Sequence, residues 1–154
     1  MENFIVKKSI TVNANPTQVW DALTNPEKTK KYFFHCKVFS NWKAGSDIIF
    51  KGKIFFIKNI ELKGTITKII TQNLLQYTLR NTGGDSGSTS TVTDELDYKD
   101  GQTTLSITDD VGQGEGAEKR YTRSEKAWDK VLAGLKKLVE TEKPDYLAGS
   151  FALR

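Results

Sequence analysis

The sequence predicts an α+β domain in which a curved antiparallel sheet of about six to seven strands wraps around one long C-terminal helix. Three observations carry this. Apolar and polar residues alternate over several short segments, the period of half-buried strands. Tight turns join those segments, and strands joined by hairpins pair antiparallel. Near the C-terminus the apolar period changes to three and four, and such an amphipathic helix has to cover the apolar face of the sheet.

The first strand is predicted over residues 4–13. Phe4, Val6, Ile10 and Val12 share one face, with Lys8 among them, and Lys7, Ser9, Thr11 and Asn13 take the other. Asn15-Pro16 breaks the strand: Asn15 can cap a helix and Pro16 suits its first turn. Val19, Trp20 and Leu23 follow at helical spacing. Asn25-Pro26 ends this short helix and opens a second, with Glu27 in its first turn and lysines at its end, as the helix dipole prefers. Two short helices thus follow the first strand.

Residues 32–42 concentrate Tyr32, Phe33, Phe34, Phe39 and Trp42 around Cys36 and Val38. They read as a loop and strand that cover the core, or as part of a pocket wall. Beyond Gly45 the chain reads as successive strands. Ser46–Lys51 is short, with Ile48 and Phe50 on one face. Residues 54–71 form a long β-rich stretch in which Gly64 suggests a bulge or bend. Gln72-Asn73 makes a turn, after which Leu75, Tyr77 and Leu79 alternate.

Residues 81–90 form a flexible loop by composition. Val92, Asp94, Leu96 and Tyr98 make the next strand face. Asp100-Gly101 marks a hairpin, and Leu105, Ile107 and Asp109 return on its partner. Residues 112–116, GQGEG, are a second glycine-rich loop. The last helix, near residues 117–142, places Tyr121, Ser124, Trp128, Val131, Leu132, Leu135, Leu138 and Val139 on one face. Lys126, Lys130, Lys136, Lys137 and Glu140 lie opposite. Gly134 within it suggests close approach to a strand. Lys143-Pro144 ends it, and the tail beyond packs on the surface or is mobile.

Bulk properties narrow the function classes. The chain has 154 residues, enough for one domain spanning 1–154 with its own core, and 27% charged residues argue against wholesale disorder. No apolar run approaches the roughly 20 residues of a membrane span. The N-terminus lacks the cationic and apolar regions of a signal peptide. A single cysteine permits no intrachain disulfide, so a reducing cytoplasmic location is expected. Cys36 reads as a small buried hydrophobe, and His35 beside it would point to the opposite face of a strand. The net charge of +4 is spread among acids rather than gathered into a stripe with stacking aromatics, so no nucleic-acid partner is expected.

Catalytic signatures are weak. The glycine-rich loops lack the Lys-Ser ending of a phosphate loop and read as turns. One histidine and one cysteine argue against a zinc site, and no cofactor is expected. Asp109 and Asp110 end a strand, either solvated or with one of them at a cavity mouth. Asp94 shares its strand face with Val92 and Leu96. A carboxylate facing inward there would have a raised pKa and could exchange a proton. Lys8 is similarly placed, so the two either pair or both reach solvent through a register slip. The candidate ligand-binding residues are Trp42, Phe50, Tyr77, Asp94, Tyr121, Trp128 and Leu132. Trp128 and Leu132 also serve as plain core, whereas the hydroxyls of Tyr77 and Tyr121 are suited to orient a ligand.

Four segments together resemble a known family. SITVNANPTQVWDALTNPEKTKKYF resembles the opening of the START-like superfamily, also called SRPBCC or the birch-pollen-allergen-like fold. FSNWKAGSDIIFKG, GTITKIITQNLLQYTLR and AWDKVLAGLKKLVE resemble the branch named for the C-terminal domain of the activator of the ninety-kilodalton heat-shock chaperone's ATPase. The resemblance spans roughly residues 5–142. Ala127 stands before Trp128 where that branch commonly has glycine.

The resemblance implies a helix-grip fold with a cavity between sheet and C-terminal helix. It also implies a function drawn from a varied set: binding of small hydrophobic or amphipathic molecules, cyclase or hydrolase activity on polyketide-like substrates, or partnership with a chaperone. The chaperone-activating members carry a further N-terminal domain for which this length leaves no room, so the family name is not expected to describe the function. A non-catalytic binder of a small apolar ligand, monomeric or dimeric, is the preferred expectation. A chaperone co-factor or other interaction module and an enzyme remain the alternatives.

Overall fold

The computed structural model describes residues 4–54, 58–81 and 88–142. The elements run β1 (Ile5–Val12), α1 (Pro16–Thr24), α2 (Pro26–Tyr32), β2 (Cys36–Ser40), β3 (Asp47–Ile54), β4 (Lys58–Ile70), β5 (Leu74–Asn81), β6 (Ser90–Lys99), β7 (Gln102–Asp110) and α3 (Ala117–Thr141). Seven strands form one sheet in the order β1-β7-β6-β5-β4-β3-β2, with every neighbouring pair antiparallel. The curved sheet grips α3, the helix-grip arrangement the sequence predicts.

Local chemistry sets the element ends. Asn15 and Gln18 cap α1 reciprocally, with the Asn15 side chain accepting from the Gln18 N–H at 2.9 Å. Asn25 caps α2, its side chain accepting from the Glu27 N–H at 2.9 Å. Asp100 (φ 53°) and Gly101 (φ 80°) turn the β6–β7 hairpin, both central residues having the positive φ of a type I′ turn.

Two strand expectations change. The β-rich stretch 54–71 contains the end of one strand and the whole of another: β3 runs on to Ile54 and β4 starts at Lys58. The register slip in β4 falls between Ile66 and Lys68 rather than at Gly64. Gly64 instead lets β5 come close, since a Cβ there would stand 1.7 Å from the Thr78 carbonyl oxygen.

Alternation holds elsewhere. Val6, Val12, Ile48, Phe50, Leu75, Tyr77, Val92, Leu96, Leu105 and Ile107 are all buried on the sheet's inner face. Trp128, Val131, Leu132, Leu135 and Val139 of α3 meet them. Gly134 faces α2 rather than a strand: a Cβ there would lie 2.9 Å from Tyr32 Cβ. The helix ends at Thr141, while Lys143-Pro144, the tail and most of the 81–90 loop lie outside the described residues. Among the described residues, no helix is long and apolar enough to cross a membrane.

Candidate functional site

The face between sheet and α3 carries two carboxylates. Asp94 on β6 sits opposite Ile107, and Asp109 on β7 sits opposite Val92. They are therefore diagonal neighbours on one face of adjacent strands, a spacing on the order of 7–8 Å. Both are buried, at 3% and 6% exposure. In each, Oδ1 has no hydrogen-bond partner among the described residues.

Their other surroundings differ. Asp109 Oδ2 accepts the Ser124 hydroxyl at 2.6 Å and the Trp128 indole N–H at 2.9 Å. Such bonds to a charged acceptor are the stronger kind. Asp94 lies among Leu75, Tyr77, Leu105, Ile107 and aromatic rings. Burial, reinforced by the negative charge of Asp109, pushes its carboxyl up to about 7. Burial and the nearby Asp94 charge also hold the Tyr77 hydroxyl well above its usual range.

Lys8 answers neither carboxylate. Although it belongs to the inner-face row and pairs with Ile107, its ammonium turns outward to Asp129 at 3.0 Å and Glu125 at 3.8 Å. Pairing with Asp94, one of the two arrangements the sequence left open, is thus replaced by a pairing with α3, and Asp94 is buried without it. Register had not slipped.

Two spaces flank this pair. The inner one is bounded by Phe33, Phe50, Tyr77, Asp94, Trp128 and Leu132, among others, and has a volume of about 20 Å³. That admits about one water molecule. The side chains expected to surround a ligand largely fill the space themselves. Phe33 stacks on Phe50 at 4.6 Å and meets Trp128 edge-on at 6.1 Å, while Phe50 and Tyr77 stand 6.0 Å apart.

The outer space lies under the N-terminal half of α3 and measures about 280 Å³. Leu62, Leu79 and Val111 supply apolar wall, Ala127 and Ser124 the helix side, and Asp109 the floor. Arg120 and Arg123 stand at its border. Arg120 also fixes the glycine-rich loop, donating to the Val111 carbonyl at 3.1–3.2 Å and to that of Glu115 at 3.0 Å. Because Trp128 lines the inner space and Asp109 the outer, their hydrogen bond forms the partition between the two.

Of the seven residues expected to bind ligand, Phe50, Tyr77, Asp94, Trp128 and Leu132 come together around the inner space. Tyr121 lies apart, half-buried against the Phe4 ring at 5.9 Å. Trp42 is elsewhere again, at an open depression with Phe39, Pro26 and Ile49 beyond β2. The aromatic run 32–42 thus divides: Phe33 walls the inner space, while Phe34 and Phe39 are exposed. Asp109 is the residue sequence reasoning undervalued. Of the two readings offered for it, burial excludes the solvated strand end. Asp110 points the other way and accepts the Gly112 N–H at 2.9 Å. The signal was present in the alternation Leu105, Ile107, Asp109.

Little here favours covalent or metal chemistry. Cys36 is buried, and burial raises its thiol above the usual range, away from thiolate reactivity. Among the described residues, no three His, Cys, Asp or Glu side chains gather as metal ligands would.

A helix-grip domain with an internal carboxylate pair and a pocket beside its long helix is the class that fold and site define. Residues 13–140 match the model of the Activator of Hsp90 ATPase homolog 1-like protein family, and the chain belongs to that family. ChR145 from Cytophaga hutchinsonii, known from a solution structure, is 35% identical, with a TM-score of 0.71 over 91% of this chain and 97% of that one. The Aha1 dimer from Colwellia psychrerythraea shares the fold at 19% identity and a TM-score of 0.67, covering 91% of this chain and 98% of that one. DynU16, described as a putative protein in the dynemicin biosynthetic locus, shares it at 20% identity and a TM-score of 0.74 over 93% of this chain. The chain spans 49% of DynU16. No curated protein matches the sequence.

Proposed function

We propose that this protein binds a small amphipathic molecule between the sheet and the N-terminal half of α3. The observation that carries the reading is the outer pocket: about 280 Å³, with Leu62, Leu79, Val111 and Ala127 set among serine, threonine and arginine side chains over a buried carboxylate. Ligand pockets start near roughly 300 Å³ and combine apolar walls with a few converging polar groups. The inner space is too small to take the apolar body of such a molecule, so the body belongs in the outer pocket. The description of DynU16 as part of a biosynthetic locus is consistent with a role in handling organic molecules.

The test is a titration with 1-octanol followed by amide chemical shifts. Perturbations should centre on Leu79, Val111 and Ala127. Ala127→Phe, which fills the pocket from its half-buried helix side, should weaken binding at least about tenfold without lowering the melting temperature. Perturbations scattered over the surface, or unchanged by Ala127→Phe, would remove the reading.

A second reading, a protein-interaction module that works with a chaperone, has its own support. The family's description names a chaperone ATPase activator. Trp42 has φ 57°, a conformation costly for a bulky residue, and borders an open depression beside the exposed Phe39. Strain of that kind is often kept for recognition. Adding the protein to Hsp90 and finding no change in ATP hydrolysis, with or without Trp42→Ala, would dismiss it.

A further inference from the structure

The inner space holds a combination that the preceding proposal does not use. Asp94 is buried, lines this space, and has a carboxylate oxygen without a partner among the described residues. Among the described residues, no lysine, arginine or histidine lines the space around it. Lys8, the cation on the same row of the sheet, is held outside by Asp129 and Glu125. Five aromatic side chains, Tyr32, Phe33, Phe50, Tyr77 and Trp128, share the remaining walls with aliphatic ones. Rings of this kind attract a cation through their negative faces, most strongly where water is excluded. A buried carboxylate without a counter-ion does the same.

Building on the proposed pocket, we infer that the molecule bound there carries a primary ammonium group. The ammonium occupies the inner space between Asp94 and the aromatic rings, and its apolar body runs past Trp128 into the outer pocket. Size supports the assignment. The inner space of about 20 Å³ suits a head group no larger than water, which a primary ammonium matches and a quaternary one does not. Position supports it too. Arg120 and Arg123 at the outer border disfavour a cation there, so the deep site is where one is stabilised. Passage displaces the Trp128 indole from Asp109 Oδ2, the hydrogen bond that separates the two spaces.

Ionisation gives this ligand a signature. The groups facing Asp94 are Asp109 on β7, Tyr77 on β5 and Tyr32 on α2, the last donating to the Ala22 carbonyl at 2.7 Å. None is a cation. Asp94 is therefore largely neutral below pH 7 and charged above it, and an ammonium binds the charged form. Affinity for an alkylamine should rise through neutral pH, whereas affinity for an alcohol of equal length should not.

The experiment compares octylamine, 1-octanol and octanoic acid by calorimetry at pH 6 and pH 8.5, on the wild type and on Asp94→Asn. Octylamine should bind at least about tenfold more tightly than 1-octanol at pH 8.5, and Asp94→Asn should abolish that preference. In the wild type, octylamine alone should shift the Trp128 indole N–H resonance and lower the Asp94 titration midpoint, as followed by carboxyl carbon NMR. These two readouts hold the test open if the variant folds poorly. Equal binding of amine and alcohol, or an amine preference that survives Asp94→Asn, overturns the inference and leaves the pocket standing. Failure of all three compounds overturns both.

Discussion

The two halves of α3 cover the same sheet in different ways. The C-terminal half brings Val131, Leu132, Leu135 and Val139 against the inner face, and its Gly134 lets Tyr32 of α2 close in. The N-terminal half presents Ser124 and Ala127, both only half-buried, over an open pocket. Each half sits over one carboxylate. Among the described residues both leave Oδ1 without a partner, but Asp94 lies under the sealed half and Asp109 at the boundary, with two strong donors to Oδ2. The contrast separates two ways of keeping a carboxylate buried: one is stabilised by donors, the other by retaining its proton.

The largest expected effect lies in how stability depends on pH. The Asp94 pKa is about 7 in the fold against an ordinary 3.8. Below pH 4 the group is protonated in both folded and unfolded chains, and its burial carries no ionisation penalty. Between about pH 4 and pH 7 the unfolded chain releases a proton that the folded chain keeps, so stability falls as pH rises. Above pH 7 the loss levels off, at a value on the order of 4 kcal/mol. Asp94→Asn should remove this slope. Glu27 and Glu140, held below the usual range by hydrogen bonds from Lys30 and Lys136, act in the opposite sense. They are common to both proteins and cancel in the difference. Urea denaturation of wild type and variant from pH 4 to pH 8 measures it, and a pH-independent difference would erase the distinction between the two carboxylates.

How far this contrast was legible in the sequence differs between its parts. The sheet and helix followed from period, because burying one face requires it. The two Asn-Pro steps and Asp-Gly announced their own geometry through caps and positive φ. The inward face of Asp94 was legible for the same reason, from Val92 and Leu96 on either side. The direction of Lys8 was not. A long flexible side chain can leave its row and reach a neighbouring element, and Asp129 belongs to a helix whose rotation over the sheet is set by tertiary packing. Nor could alternation say that Phe50, Tyr77 and Leu132 would meet closely enough to fill the cavity. That depends on side-chain volumes summed over seven elements. Trp42 and Tyr121 were grouped with them as facing between sheet and helix, while the backbone turn at Trp42 (φ 57°) takes that side chain elsewhere.

A smaller effect tests the partition. Trp128→Phe keeps an aromatic ring in the inner wall but removes the N–H that Asp109 Oδ2 accepts. A hydrogen bond to a charged group contributes about 1.5–3 kcal/mol, and its loss from a buried acceptor falls at that scale. The melting temperature should drop accordingly. An unchanged melting temperature would mean that Asp109 is as self-sufficient as Asp94, and the contrast between donor-held and proton-held carboxylates would collapse.

The smallest effect should come from Ser124→Ala, although its 2.6 Å hydrogen bond is shorter than that of Trp128. Length is not the deciding factor here. Ser124 is half-buried and borders the outer pocket, so water can enter and donate to Asp109 in place of the lost hydroxyl. The indole N–H lies deeper, where no such replacement is available without moving the ring. Ser124→Ala is therefore expected to cost no more than about 1 kcal/mol, well below Trp128→Phe. Paired thermal melts of the two variants decide the order. A larger loss for Ser124→Ala would mean that the outer pocket is closed to water, making the N-terminal half of α3 as sealed as the C-terminal half.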